Sequence, residues 1–293
     1  MFDVVGVGAN SVDYVYRLPT YPRPDSAAAK LRIESQLISY GGQTATTLST
    51  CAALGMRAKY VGAFGGDDSS RRMREELARR HIDLASAVNR DAPNAFAVIL
   101  LDGERGERIV LWDRDPRLSL LPSEVFGAEL PTARLVHVDD VDEDAAIGAA
   151  KIAQAVGLPV TSDIERLTER TDELVASVTV PIFAEHVLQE LTGETDFERA
   201  LRKLRRTHNG LLCVTLGARG AMLLDGDTLH HESARTVKVV DTTGAGDVFR
   251  GAFIYAMLRG DGPADILRFA NAAAAVSCTR VGALASVPTL EDL

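Results

Sequence analysis

The sequence predicts an α/β fold, a doubly wound and mainly parallel sheet with helices on both faces and a small β lid. Two features predict the body of the fold: short apolar segments alternate with helical segments, and the apolar segments are rich in β-branched residues. The lid is predicted from two stretches, about 13–40 and 94–114, that break this alternation. We therefore expect one α/β domain over residues 1–293, with the lid inserted from those two places.

The first half of the chain supplies the first strands and helices. FDVVGVGA (2–9) is typical of a buried strand followed by a glycine turn, and KLRIESQLIS (30–39) alternates like a half-exposed strand. GGQTATTLSTCAALG (41–55) has small and apolar residues at helical spacing and ends in glycine. KYVGAFGGD (59–67) indicates another buried strand, and SSRRMREELARRHI (69–82) indicates an amphipathic helix.

The second half continues the alternation of strands and helices. NAFAVILLDGERGERIVLWD (94–113) contains two strand-like runs around a turn, which predicts a hairpin. Four apolar segments follow, with helices such as EDAAIGAAKIAQAVG (143–157) between them. The four segments are RLVHVDD (134–140), LPVTSDI (158–164), TVPIFAE (179–185) and GLLCVTLG (210–217).

Sheets of this kind bind ligands in the crevice outside the carboxyl ends of their strands. This rule selects the segments that come shortly after the predicted strands. They are residues 10–13, 41–46, 139–140, 215–220 and 241–247.

Charge and composition exclude several classes of protein. The net charge of −9 argues against a nucleic-acid binder, which needs a basic surface. The three cysteines are isolated in the sequence, as expected for buried thiols in a reducing compartment. The first residues lack the pattern of a signal peptide, and no apolar run approaches the roughly 18 residues of a membrane span. We therefore expect a cytoplasmic protein without nucleic-acid or membrane partners.

The stretch DTTGAGDVFRGAF (241–253) carries the chemistry. Gly244, Ala245 and Gly246 precede Asp247 and an apolar helix, so the unpaired N–H groups of the first turn are open to an anion such as phosphate. A carboxylate there would repel a phosphate alone, but it suits a site in which a hydroxyl attacks the phosphate and loses its proton. The alternative is that the small residues ease packing and Asp247 caps the helix.

The wider string resembles the C-terminal signature of the ribokinase-like carbohydrate kinases, the phosphofructokinase B group. GANSVD (8–13), GGQTAT (41–46), TLGARG (215–220) and RFANAAAAVSCTRVGA (268–283) resemble further segments of the family in the same order. The resemblance covers the whole chain. It implies a ribokinase-like fold, and an enzyme that transfers the γ-phosphoryl group of ATP to a sugar hydroxyl.

The resemblance also implies roles for individual residues on the substrate side. Asp247 would be the general base, and the amides of Gly244, Ala245 and Gly246 would form the anion hole. Asp13 matches the sugar-binding aspartate of the family, and Asp139 lies where relatives carry an acidic sugar contact, although Asp140 competes for that role. The remaining sugar-side positions are Asn10, Gly41, Gly42, Gln43 and Thr46.

Nucleotide and cation sites are implied in the same way. Thr215, Gly217 and Gly220 match the nucleotide segment, and Asn271 is either an adenine neighbour or a plain residue of a helix surface. Magnesium is expected as a partner of the ATP phosphates. The resemblance also implies a loop that binds a monovalent cation, K⁺, at positions that the family uses for this ion. These are Asp241, Thr243 and Ser286.

Two departures from the family pattern bear on the metal and the substrate. Relatives carry an NxxE motif that supports magnesium, and here Ala184 and Val187 occupy its ends. Glu185 or Glu190 is then the candidate, and the alternative is a plain surface glutamate on a helix. Gln43 and Thr46 replace residues that are common in ribose enzymes. The sequence therefore resembles the ketohexokinase and sulfo-sugar kinase side of the family, and we expect a ketose or a related polyol as substrate.

Other readings stay open at this point. A dinucleotide-binding oxidoreductase is suggested by GVGANS (6–11), but Ser11 replaces the third glycine of that motif. A nucleoside kinase of the same fold is an alternative, as is a sugar-binding regulatory protein that has lost catalysis. We also expect a homodimer through the lid, because an exposed sheet needs its edges covered.

Overall fold

The computed structural model describes residues 1–103 and 108–293. In these ranges the strands are β1 (Phe2–Val7), β2 (Ser11–Leu18), β3 (Ser35–Gly41), β4 (Ala58–Val61), β5 (Ala63–Phe64), β6 (Val88–Asn89), β7 (Phe96–Asp102), β8 (Arg108–Asp113), β9 (Ala133–Asp139), β10 (Val160–Ile164), β11 (Val180–Ala184), β12 (Leu212–Thr215), β13 (Ala221–Asp225) and β14 (Thr228–Glu232). The α-helices in the same ranges are α1 (Gln43–Ala53), α2 (Asp68–Arg79), α3 (Pro122–Val125), α4 (Glu143–Ala155), α5 (Thr171–Ala176), α6 (Glu185–Thr192), α7 (Phe197–Leu204), α8 (Ala245–Arg259) and α9 (Pro263–Ser277).

The described residues form an eight-stranded sheet in the order β14-β13-β12-β11-β10-β9-β1-β4. All pairs from β12 to β4 are parallel, and β13 and β14 extend one edge with antiparallel pairing. The predicted doubly wound, mainly parallel sheet is therefore confirmed.

Helices pack on both faces of this sheet because successive side chains of a strand point to opposite sides. Val5 and Phe183 join a core with helices α4, α6 and α7 on one face. Ile182 packs with α8 and α9 on the other face, and Val4 packs there with α1 and α2. The uninterrupted apolar strands are buried on both sides, as parallel strands between two helical layers must be.

A second, four-stranded sheet in the order β3-β2-β7-β8 is built from the two stretches that break the alternation. The pairing of β7 with β8 is antiparallel, which confirms the hairpin; its turn, residues 104–107, lies outside the described residues. The strand predicted from residue 30 begins only at Ser35, because its partner β2 ends at Leu18 and Arg17 pairs with Ser35. That the chain forms one domain with this lid stays a prediction.

The antiparallel edge of the large sheet was not predicted. Strands β13 and β14 are joined by a tight turn in which Gly226 has a φ of 55°. The signal was present, since an Asp-Gly pair between two short apolar runs is typical of a hairpin turn. Among the helices in the described ranges, none is long and apolar enough to cross a bilayer.

Candidate active site

The start of helix α8 has the open geometry that its small residues predict. Gly244 is the N-terminal cap, with a φ of 76° in the left-handed region, and a Cβ built on it would lie 2.7 Å from the Cβ of Ala283. Glycine is therefore required there for two reasons, conformation and space. The following turn has no side-chain cap. Ala245 N–H donates to the Thr242 carbonyl at 3.2 Å, while within the described ranges the N–H groups of Gly244 and Gly246 have no backbone acceptor and are available to an anion.

A cavity of about 450 Å³ ends at this helix start. Its walls bring together residues that the sequence assigned to the nucleotide and to the anion hole. They include Thr215, Gly217, Gly220, Ala245, Gly246 and Asn271. The structure therefore joins two motifs that are about 30 residues apart in the sequence.

The predicted nucleotide residues Gly220 and Asn271 both lie close to Glu232. Gly220 has a φ of 89°, and a Cβ on it would lie 2.0 Å from the carbonyl oxygen of Glu232. Asn271 is buried, lines the cavity and donates a 2.7 Å hydrogen bond from Nδ2 to the same carbonyl. The alternative that Asn271 is a plain helix-surface residue is therefore wrong, and its contact with adenine stays a prediction.

Asp13, a predicted sugar contact, lies close to the start of α8. It is 5% exposed and accepts a 2.8 Å hydrogen bond from Ser11. Burial, together with the charge of Asp241, raises the pKa of Asp13 to about 6. A Cβ on Gly41 would lie 2.6 Å from the Asp13 carboxylate and 3.4 Å from Ala283, the residue that also contacts Gly244. The predicted sugar contacts and the anion hole therefore adjoin.

The other predicted sugar-side residues divide into two groups. Gly42 has a φ of 96° and no room for a Cβ, and Thr46 presents a buried hydroxyl that bonds no described residue. The amide of Asn10 is committed instead to the protein. It donates to Tyr60 at 2.9 Å and to the Ala63 carbonyl at 2.7 Å. Asn10 therefore positions the turn after β1, and its contact with a sugar stays a prediction.

The Asp139–Asp140 pair ties segments together at the carboxyl end of β9. Asp139 is fully buried and accepts hydrogen bonds from Ala9 N–H at 2.7 Å, Thr44 Oγ1 at 2.8 Å and Val141 N–H at 3.0 Å. Burial raises the pKa of Asp139 to about 6, although these hydrogen bonds act to lower it. These bonds give Asp139 a positioning role, and its predicted contact with the sugar is untested.

Asp140 faces a different set of partners. Its carboxylate accepts from the Glu165 and Arg166 amides, each at 2.7 Å, and lies 2.9 Å from the Arg166 guanidinium. The predicted sugar contact Gln43 is directed at the same carboxylate, with Nε2 3.4 Å from Oδ1. The Asp140 carboxylate is thus already ion-paired and hydrogen-bonded within the protein.

Asp247, the predicted base, sits in a cluster of charges. It is 9% exposed, and one carboxylate oxygen of Asp163, of Glu165 and of Asp247 lies within 4.8 Å of the others. Arg250 joins them, with Nη2 2.6 Å from Asp163. Burial and the Glu165 charge raise the pKa of Asp247 to about 8, while Arg250 lowers it.

The sequence reasoning missed these three neighbours of Asp247. Asp163 is the second-last residue of β10, a strand whose carboxyl end was not among the selected segments, and Glu165 directly follows that strand. Arg250 carried a visible signal: it is an arginine within an otherwise apolar helix, VFRGAFIYAML. A charge in such a run is buried only when a partner neutralises it.

The model of the pfkB family carbohydrate kinases matches residues 6–290. The chain belongs to the pfkB family of carbohydrate kinases. The resemblance to this family is thereby confirmed, and the enzyme is an ATP-dependent sugar kinase. That the chain resembles ketohexokinases more than other members of the pfkB family stays a prediction.

Individual relatives agree with this placement. The chain is 25% identical to a ribokinase of Haemophilus influenzae over 98% of its own length and 95% of the relative. It is 24% identical to a nucleoside kinase of Methanothermobacter thermautotrophicus, covering 98% and 92% of the two chains. The structure of an Arabidopsis thaliana ribokinase complexed with ribose and ATP has the same fold, with a TM-score of 0.84, 24% identity, and coverage of 99% and 97%.

The loop before α8 in this pfkB kinase is closed by a carboxylate. Asp241 accepts hydrogen bonds from the N–H and the hydroxyl of Thr243, at 2.9 Å and 2.7 Å, and from the N–H of Gly282 at 2.9 Å. Ser286 donates to the Ala283 carbonyl at 2.9 Å in the adjoining segment. The three residues predicted around a monovalent cation are thus on two adjoining segments, and the cation itself stays a prediction.

Glu185 begins α6, beside the nucleotide segment of the kinase. Its carboxylate pairs with Arg219, which lies between the cavity residues Ala218 and Gly220. Ala184 and Val187 occupy the ends of the missing NxxE motif, and Val187 is fully buried. A contact of Glu185 with the magnesium shell of ATP is untested, and it would require Glu185 to leave Arg219.

Proposed function

We propose that Asp247 is the general base of this kinase and that the first turn of α8 binds the phosphoryl group in transfer. The observation that carries the proposal is the junction at this helix start. The cavity with the predicted nucleotide residues ends at Ala245 and Gly246, and Asp247 is the next residue. On the other side, Ala283 lies next to both Gly244 and Gly41, and Gly41 lies next to the Asp13 carboxylate.

The reaction step follows from this arrangement. The acceptor hydroxyl gives its proton to Asp247, and its oxygen forms a bond to the γ-phosphorus of ATP. The bond from that phosphorus to the bridging oxygen breaks, and ADP leaves with the electron pair. The backbone N–H groups of Gly244, Ala245 and Gly246 stabilise the charge on the transferred group, which is the main contribution that protein dipoles make to such reactions. For Ala245 this requires its N–H to leave the Thr242 carbonyl.

ATP enters as its magnesium complex, so the metal belongs to the substrate. Magnesium retains several waters and binds mainly through phosphate oxygens, which makes a protein carboxylate a supporting partner. Glu185 is the proposed partner, and a potassium ion beside the segments of Asp241 and Ser286 is proposed as an activator. Replacing K⁺ by Na⁺ in the assay tests the second proposal; equal rates in the two salts would remove it.

For the acceptor we propose a ketose or a related polyol, phosphorylated on a primary hydroxyl. A buried carboxylate such as Asp13 can accept two hydroxyl hydrogen bonds, which suits a polyol. Gln43 and Thr46 stand where ribose enzymes of the family commonly carry other residues. Ribose and nucleosides are the competing acceptors, because the relatives include a ribokinase and a nucleoside kinase.

ADP release with a panel of acceptors tests this proposal. The panel contains ketoses, aldoses, sugar acids and nucleosides, each with ATP, magnesium and potassium. Strong turnover with a ketose and weak turnover with ribose and adenosine supports the proposal; the reverse order assigns the enzyme to the competing class. ATP binding without ADP release for any acceptor would support the regulatory alternative.

We also propose that the lid forms a homodimer. Strand β8 is an edge of the four-stranded sheet, and its side chains Leu111 and Trp112 are 55% and 70% exposed. On the other edge strand, Leu37 and Ile38 are also exposed. Exposed apolar side chains that gather on one sheet mark an interface more often than a free surface. Light scattering at micromolar concentration tests the assembly.

A further inference from the structure

Arg250 is a buried arginine with one firm partner. It follows Asp247 by three residues on helix α8, and its side chain is 1% exposed. Nη2 lies 2.6 Å from Oδ1 of Asp163, and Nη1 lies 3.6 Å from Oε1 of Glu165. These contacts are ion pairs without the alignment of hydrogen bonds, so within the described ranges no guanidinium nitrogen has a hydrogen-bond acceptor. A buried charge whose hydrogen-bonding capacity is left unfilled contributes little to stability, so the presence of this arginine needs another explanation.

The guanidinium lies against the first turn of α8. A Cβ built on Gly246 would lie 2.7 Å from Nη1 of Arg250 and 3.5 Å from Oε1 of Glu165. The guanidinium therefore occupies space that a side chain on Gly246 would fill. The guanidinium thus lies next to the turn that carries Asp247, and Ala245 and Gly246 of the same turn line the end of the cavity.

Charged groups face Asp247 from three elements, and most of them are acidic. Those that act on Asp247 itself are Asp139 from β9, Asp163 and Glu165 from β10 and the loop after it, and Arg250 from α8. Asp140 and His137, also from β9 and the residue after it, lie near Arg250. His137 is neutral, because burial and the charge of Arg250 lower its pKa to about 3. Asp140 is already paired with Arg166. Among these groups, the fixed positive charge comes from Arg250.

We propose that Arg250 is a positioning residue for phosphoryl transfer: held by Asp163 against the first turn of α8, it is the internal counter-cation of Asp247. The inference rests on the proposed role of Asp247 as the base. With Arg250 in place, Asp247 can lose its proton although Asp163 and Glu165 are near. Without it, three carboxylates face one another, and Asp247 holds its proton to higher pH.

The pH dependence of kcat/KM tests this inference. In Arg250→Met, the acid limb of the profile is expected to move to higher pH by about one unit or more, because an opposite charge at this range lowers a carboxyl pKa by about 1–3 units. Glu165→Gln removes the negative charge that raises the pKa of Asp247 and is expected to move the same limb to lower pH. The double variant is expected to fall between the two. Arg259→Met, an exposed arginine of the same helix, serves as the control with an unchanged profile.

The outcomes separate this inference from the proposed function. If Asp247→Asn loses turnover but Arg250→Met lowers kcat equally at every pH with an unmoved limb, the arginine is only structural and the inference fails. If Asp247→Asn keeps its turnover, the base itself is wrong. Where Arg250→Met does not fold, as judged by its melting curve, Arg250→Gln takes its place with the same expected direction, and Glu165→Gln gives the opposite one. Limbs that move in the same direction in both variants overturn the inference.

Discussion

At the scale of single residues, the position of Asp247 decides how the kinase depends on pH. The carboxylate acts as a base only when it has lost its proton, and burial with the charge of Glu165 raises its pKa to about 8. We therefore expect kcat/KM to rise with pH up to about 8 and to level off above it. The slope of log kcat/KM against pH measures this, and a profile that is already flat from pH 6 upward would contradict it.

The same raised pKa makes a prediction for stability. An aspartate with a pKa near 3.9 in the unfolded chain and about 8 in the folded one destabilises the fold as pH rises between those values, because the folded state binds the proton more tightly. Asp247→Asn is expected to remove this loss, so its gain in melting temperature over the wild type grows from pH 5 to pH 8. A constant difference between the two proteins across that range would contradict the assignment.

At the scale of secondary structure, helix α8 depends on close packing against α1. A Cβ on Gly251 would lie 2.5 Å from Cβ of Thr50 and 2.6 Å from the Thr47 carbonyl. Gly251→Ala therefore overfills this contact and is expected to destabilise the protein by about 1–3 kcal/mol. It should also raise KM or lower kcat, since α8 carries Asp247.

A matched glycine gives the control for that change. Gly148 lies inside helix α4, where the nearest atom to a built Cβ is 3.7 Å away. Gly148→Ala is expected to stabilise the protein by about 0.5–1 kcal/mol through helix propensity alone. Urea unfolding of both variants measures the difference; destabilisation of equal size in both would show that the contact between α1 and α8 is not the cause.

The elements that the sequence predicted are those with a local signal. The buried strands β9 to β12 follow from β-branched apolar runs, and the hairpin of β7 and β8 follows from its alternation. The charge cluster was missed for a different reason. Asp163 and Arg250 are 87 positions apart in the sequence, and only the packing of α8 on the sheet brings their side chains together. The bonds that the Asn10 amide donates to Tyr60 and Ala63 could not be predicted either, because these partners are about 50 positions away in the sequence.

At the scale of the whole molecule, the exposed apolar edge of the lid predicts the assembly. Trp112→Glu places a charge on a side chain that is 70% exposed, so the fold is expected to persist while the dimer dissociates. Phe126→Glu is the control, because this side chain is 69% exposed but lies outside the lid, after α3. Light scattering compares the masses. A wild-type monomer, or dissociation by both variants alike, would remove the lid dimer.

The most direct measurement compares turnover in the wild type and in Asp247→Asn, with saturating ATP and the best acceptor from the panel. ATP binding is measured for both proteins, so that a loss of turnover is not a loss of substrate. For Asp247→Asn we expect retained ATP binding and a kcat lower by about 10²–10⁴-fold, which is the usual contribution of a general base. Turnover within a few-fold of the wild type would contradict the account, because the proton would then leave the acceptor hydroxyl without Asp247.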